Sequence, residues 1–129
     1  DAWLAARLAL GAELQTRAAE RAREIAGPDA SADALAEIAA NMRRARLAGY
    51  GYVARVIART DALPWLAEIR VPALVVCGEH DQATPPALNK EIAEKVTGAK
   101  YVELPGCGHC PPLEQPDAFL KAIGEFARL

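Results

Sequence analysis

At 129 residues the chain is long enough for one domain with a core of its own, and its 52% hydrophobic and 25% charged residues rule out a disordered segment. The 15 basic and 17 acidic side chains give a formal charge of −2 with no basic tract, which excludes nucleic acid as a partner. No apolar run approaches the roughly 20 residues of a membrane span.

No signal-peptide pattern opens the chain, and three cysteines are too few for a disulfide scaffold, so we expect a cytoplasmic protein with reduced thiols. The chain begins at Asp1 rather than Met, which fits a piece of something longer.

From Ala2 to Ile25 the spacing of Leu4, Leu8, Leu10, Leu14, Ala18 and Ala22 predicts one long amphipathic helix, or two in tandem near Gly11. Gly27-Pro28 ends it. Ser31 or Asp33 can cap a second helix with the apolar stripe Leu35, Ile38, Ala39 and Met42. Gly49 and Gly51 are expected to break the chain, and Tyr52, Val53, Val56 and Ile57 to lie on one face of a third helix. Residues 1–65 thus read as an all-helical layer, with Tyr50, Tyr52 and Trp65 as packing residues.

The pattern changes at residue 66. Ala73-Leu74-Val75-Val76-Cys77, ending at Gly78, is a short unbroken apolar run of the kind buried in a parallel sheet. Thr84-Pro85 can then start a helix with the stripe Leu88, Ile92 and Val96, stopped at Gly98. Tyr101 to Leu104 is the next strand, and Pro116 opens a last helix with Phe119, Ile123 and Phe126 turned inward. Strand, helix and strand with short links form a βαβ unit, which requires parallel pairing. The fold class read here is α/β.

Catalytic groups in open α/β sheets gather beyond the carboxyl ends of the strands. Asp81 follows the first strand in Gly78-Glu79-His80-Asp81, and His109 follows the second in Pro105-Gly106-Cys107-Gly108-His109. Strands about 4.8 Å apart bring such loops within reach of each other. A carboxylate there would fix the imidazole tautomer and stabilise the imidazolium formed when histidine takes a proton.

These residues, with Ile69-Arg70-Val71-Pro72 before the first strand and Leu113-Glu114-Gln115-Pro116-Asp117-Ala118-Phe119 after the histidine, resemble the α/β-hydrolase superfamily, and within it the small esterases, lactonases and C–C hydrolases. The resemblance runs from about Leu66 to Leu129. It implies the C-terminal part of that fold, 66–129, preceded by a helical lid, 1–65. It implies Asp81 as the acid and His109 as the base of a catalytic triad, in the chain order nucleophile, acid, histidine. Asp81-Gln82-Ala83-Thr84-Pro85 and the region from Gly49 to Asp61 look most like 3-oxoadipate enol-lactonases.

One departure is large. The sequence has no Gly-x-Ser-x-Gly elbow, and its single serine, Ser31, reads as a helix cap. The nucleophile and the oxyanion hole are therefore expected from an N-terminal half of the hydrolase, in the same gene product or a second chain. The implied activity is hydrolysis of a small ester or lactone through an acyl-enzyme, with an enol-lactone of aromatic catabolism favoured, no cofactor, and an oligomer allowed. The alternatives are cleavage of a carbon–carbon bond in a ring-cleavage product by the same triad, or a non-catalytic ligand-binding protein. Cys107-Gly108-His109-Cys110 also matches the redox motif of disulfide isomerases, but Pro111-Pro112 follow at once and only 19 residues remain, too few to complete that fold. A zinc site from the cysteines is disfavoured because their spacings are unpaired. His80 reads as a neighbour of the acid without catalytic duty, and Glu114 as a residue favouring the start of the last helix.

Overall fold

The computed structural model describes residues 2–128; Asp1 and Leu129, which ends the C-terminal stretch, lie outside the described residues. The elements are helices α1 (Ala2–Glu13), α2 (Ala18–Ile25), α3 (Ala32–Arg44), α4 (Leu47–Arg59) and α5 (Leu63–Leu66), strand β1 (Leu74–Gly78), helix α6 (Pro86–Lys95), strand β2 (Lys100–Leu104), and helices α7 (Pro111–Glu114) and α8 (Pro116–Phe126).

The Ala-rich opening is two helices in tandem, the first ending at Glu13, two residues past Gly11. Gly11 is buried inside α1 against the Tyr50 ring, where an added Cβ would come within 2.6 Å of the ring carbon Cδ1. The small residue serves helix contact. At the break Arg17 reaches both ways, with hydrogen bonds of 2.9 Å to Glu13 and 2.8 Å to Glu20.

Ser31 caps α3, its hydroxyl accepting from the Ala34 N–H at 3.1 Å. The predicted stripe is the inward face: Ile38 and Ala39 are buried with Ala18 and Ala22 of α2, and Leu35 and Met42 pack around them. Alanine on α2 lets the two helices approach closely.

Gly49 and Gly51 do not break the chain, because α4 runs through both. Gly51 is buried toward α1, where an added Cβ would sit 3.6 Å from Leu8 Cδ2. Tyr52, Val53, Val56 and Ile57 lie on the open side of α4. The helix buries Gly51 and Ala54, leaving Tyr52 69% and Ile57 54% exposed. Trp65 is exposed too, so only Tyr50 of the three aromatics packs as expected.

β1 and β2 pair in parallel, in a register running from Leu74 opposite Lys100 to Gly78 opposite Leu104. Between them α6 starts after Pro85, and Val96 is buried just past its end. Gly98 follows at φ 77°, the left-handed conformation that stops a helix. In α8 the buried residue is Ala122, while Ile123 stays exposed and Phe119 and Phe126 are half-buried. Among the described residues the sheet has two strands, and Val71 and Leu120 are large apolar side chains left open to solvent. Among the same residues no helix is long and apolar enough to cross a membrane.

The cap and the helical glycine give opposite expectations. Ser31→Ala should destabilise by about 1 kcal/mol, the usual value of an N-cap. Gly49→Ala should stabilise by about 0.5–1 kcal/mol, since an added Cβ meets nothing within 4 Å and the residue is helical. Denaturant midpoints of the two variants check both signs, and a loss of stability in Gly49→Ala would contradict a helix through that position.

Candidate active site

Parallel pairing places the carboxyl ends of β1 and β2 side by side. The loops continue the ladder, with Glu79 N–H donating to Leu104 O at 3.0 Å and His80 N–H to Cys107 O at 2.8 Å. Asp81 then turns inward and is only 5% exposed. Its Oδ1 accepts from the Ala83 and Thr84 N–H groups, and its Oδ2 from the Thr84 hydroxyl, each at 2.8 Å. Asp81 thus makes the turn-capping contacts short polar side chains favour. Thr84 is not the free helix cap expected of it, since its hydroxyl is committed to Asp81.

The same carboxylate receives His109. Nδ1 lies 3.0 Å from both Asp81 oxygens. A carboxylate at that distance calls for the proton on Nδ1, which leaves Nε2 on the opposite ring edge as the basic nitrogen. Burial is the largest influence on the Asp81 carboxyl and pushes it up. The hydrogen bonds from His109 and Thr84, with the charge of a protonated His109, outweigh burial and hold the carboxyl below its ordinary value.

The loop carrying His109 is held by three consecutive backbone N–H groups. His109 N–H donates to Ile25 O at 2.8 Å, at the end of α2. On either side, Gly108 N–H donates to Glu114 Oε2 and Cys110 N–H to Glu114 Oε1, both at 2.8 Å. The buried Glu114 carboxylate takes a third N–H, from Gly27, at 2.7 Å. Glu114 is therefore a buried anchor between the histidine loop and the helical layer, not a residue tuning the start of α8. Space around it is minimal: an added Cβ on Gly27 would lie 2.1 Å from Gly106 O, and one on Gly78 2.1 Å from Gly108 O.

His109 opens onto a cavity of about 470 Å³, whose lining includes Trp3, Arg7, Tyr50, Val53, Ile57 and Leu88. The open face of α4 thus forms a cavity wall through Val53 and Ile57. His80 stays outside, half-exposed, with Nε2 3.6 Å from Glu79 Oε2.

The thiols point away from redox chemistry. Cys107 is fully buried, and burial, then the Glu114 carboxylate, raise its pKa to about 12. Cys110 is raised by the same two causes, whereas a reactive thiol needs a lowered value. The motif opens directly onto the four-residue α7 rather than a long helix, and all three cysteines are free. Among the described residues no group of three or more His, Cys, Asp or Glu could hold a metal ion.

Comparison with known proteins gives a consistent picture. The family model described as "Alpha/beta hydrolase family" matches residues 1–122. An enol-lactonase from Burkholderia xenovorans LB400 is similar in structure, with a TM-score of 0.82 and 29% identity over 98% of this chain and 50% of that chain. A bromoperoxidase from Bacillus anthracis shares the fold, with a TM-score of 0.86 at 16% identity, over 100% of this chain and 49% of its own. The pimeloyl-(acyl-carrier protein) methyl ester esterase of Neisseria meningitidis is 32% identical over 68 residues, 53% of this chain and 26% of that protein. The chain spans about half the length of the solved structures it matches, and the matched segment about a quarter of the esterase.

Removing the Glu114 anchor should be costly, because Glu114→Ala leaves three backbone donors without their acceptor. We expect a loss of about 3 kcal/mol or more, and a smaller loss in Glu114→Gln, which keeps the shape. Denaturant unfolding of both variants tests this. A second expectation concerns acid. A carboxyl with a lowered folded pKa stabilises the fold above its unfolded value of about 3.9, and that stabilisation is lost as pH falls through the folded value. The stability gap between parent and Asp81→Asn should therefore narrow below about pH 4. A gap constant from pH 7 to pH 2 would show that Asp81 carries no such shift.

Proposed function

The chain belongs to the alpha/beta hydrolase family, and from that premise we propose that it contributes the acid and the base of an ester or lactone hydrolase. The observation that carries this reading is the buried Asp81 carboxylate bonded to His109 Nδ1 at 3.0 Å, with His109 on the wall of a largely apolar cavity.

In this reading Nε2 of His109 removes the proton of a serine hydroxyl as its oxygen attacks the ester carbonyl. Asp81 holds the tautomer and balances the imidazolium. The imidazolium then gives the proton to the departing alkoxide or enolate, leaving an acyl-enzyme. A water, deprotonated by His109, releases the acid and restores the serine.

The serine and the oxyanion donors belong to an N-terminal half of the hydrolase outside residues 1–129. The unpaired edge of β1 and the open Val71 and Leu120 support such a covering half, since a two-stranded sheet with exposed apolar flanks is too small a core to stand alone. Residues 1–65 act as the lid, and an enol-lactone is the preferred substrate class, in keeping with the likeness to the Burkholderia enol-lactonase.

The test is reconstitution. This chain alone should not hydrolyse aryl acetates or enol-lactones, and should do so once joined to the serine-bearing half. In the joined enzyme His109→Ala should lower kcat on the order of 10⁴-fold, and Asp81→Asn somewhat less. Near-normal turnover in either variant would remove these residues from the mechanism. Replacing Cys107 and Cys110 together by serine should leave the rate within about an order of magnitude, because neither thiol takes part. Turnover in an insulin-reduction assay that vanished in the double-serine variant would instead favour thiol chemistry.

A further inference from the structure

The Asp81 carboxylate carries more donors than its turn requires. Oδ1 accepts from the Ala83 and Thr84 N–H groups at 2.8 Å, and those two bonds alone close the turn after β1. Oδ2 takes the Thr84 hydroxyl, also at 2.8 Å, and among the described residues its one other partner is His109. One residue therefore grips both oxygens, by its backbone on one side and by its side chain on the other.

That grip is stiff. Pro85 follows, which steers the Thr84 backbone toward extended conformations, and a β-branched side chain has few rotamers open to it. From behind, the Asn89 amide of α6 donates to the Thr84 carbonyl at 2.7 Å. The hydroxyl is thereby held against Oδ2.

Its effect is visible in the pair itself. His109 Nδ1 lies 3.0 Å from each carboxylate oxygen, longer than the roughly 2.7–2.9 Å of an unshared charge-assisted N–H bond. Its proton is shared between two oxygens, each already engaged by another donor. Without the hydroxyl, Oδ2 would be the freer acceptor and would draw the N–H to itself. The ring would turn with it, and Nε2, on the far edge, would leave its place.

We propose that Thr84 is a positioning residue for the hydrolysis: by occupying Asp81 Oδ2, its hydroxyl keeps the His109 N–H balanced between both oxygens and so fixes where Nε2 stands. This deepens the hydrolase reading and rests on it. Thr84 also lines the cavity, so a direct contact with substrate is the competing role, and that role has a different kinetic signature, a change in KM.

The test uses the joined enzyme with Thr84→Val, which keeps the shape without the hydroxyl, and Thr84→Ser, which keeps the hydroxyl without the methyl. Two things are read: kcat and KM on an aryl acetate, and the low-field proton resonance of His109 Nδ1–H, identified by its loss in His109→Ala. In Thr84→Val kcat should fall about 10-fold with KM within about twofold of the parent, because a displaced base loses rate rather than binding. The resonance should move downfield as the bond to a less occupied oxygen shortens. Should the valine variant not fold, Thr84→Ala carries the same two expectations. Thr84→Ser should keep the parent resonance and a kcat within about twofold of the parent. Parental kcat and KM in Thr84→Val, a raised KM at parental kcat, or a slower enzyme with an unmoved resonance would each overturn the proposal and leave the hydrolase reading standing. A serine variant as slow as the valine variant would overturn it too, by assigning the effect to the methyl. A resonance that moves in Thr84→Val, with no hydrolysis in any joined enzyme, would sink the hydrolase reading and uphold the hold of Thr84 on the Asp81–His109 pair.

Discussion

Three successive N–H groups, those of Gly108, His109 and Cys110, depend on two acceptors: the Glu114 carboxylate and the carbonyl of Ile25. Everything at the site follows from that arrangement. A histidine on a loop of glycines and prolines would ordinarily sample many orientations. Here the peptide units on both sides of it are committed, and its ring meets Asp81 with little freedom left. The carboxylate responsible is buried, and it tolerates burial because it collects three N–H donors, counting Gly27. The same contacts fasten the helical layer to the ends of the strands.

Asp81 shows a second economy. Its carboxylate closes the turn after β1 through the Ala83 and Thr84 donors while it receives His109. Closing the turn and holding the His109 ring therefore fall to one group. Against burial, His109 first and then Thr84 of the turn hold this carboxyl below its ordinary value, in the ionised state that steadies a protonated imidazole.

The parts legible in sequence were those governed by local chemistry. The unbroken run ending at Gly78, the Ser31 cap and the stripe on α3 depend on residues a few positions apart, and each is present where its pattern puts it. The placement of Asp81 and His109 was legible because parallel pairing has one consequence for loops that leave the same edge. The misreadings involve contacts distant in sequence. A glycine signals a turn and a close helix contact equally well, and only the approach of α1 shows that Gly51 serves the second. Glu114 looked like a helix-start residue because its Gly27 partner lies 87 positions away. Periodicity puts Tyr52 and Ile57 on one face without saying what that face meets, and it meets the cavity.

The close approach of Gly27 to the histidine loop bears on how such a molecule can diversify. Helical layers over an active site are a natural place for insertion, deletion and exchange, because most of their side chains answer only to one another. This layer is different at one corner, where the Ile25 carbonyl and Gly27 are components of the histidine's own setting. A recombination event that replaced residues 1–65 wholesale would alter the cavity and the setting of His109 together. Drift in the outer helices, by contrast, could remodel the cavity while the residues around 25–27 stay as they are. The stretch that ends α2 should therefore change more slowly than its neighbours on either side, and a designer who transplants a new helical layer should carry that corner over unchanged.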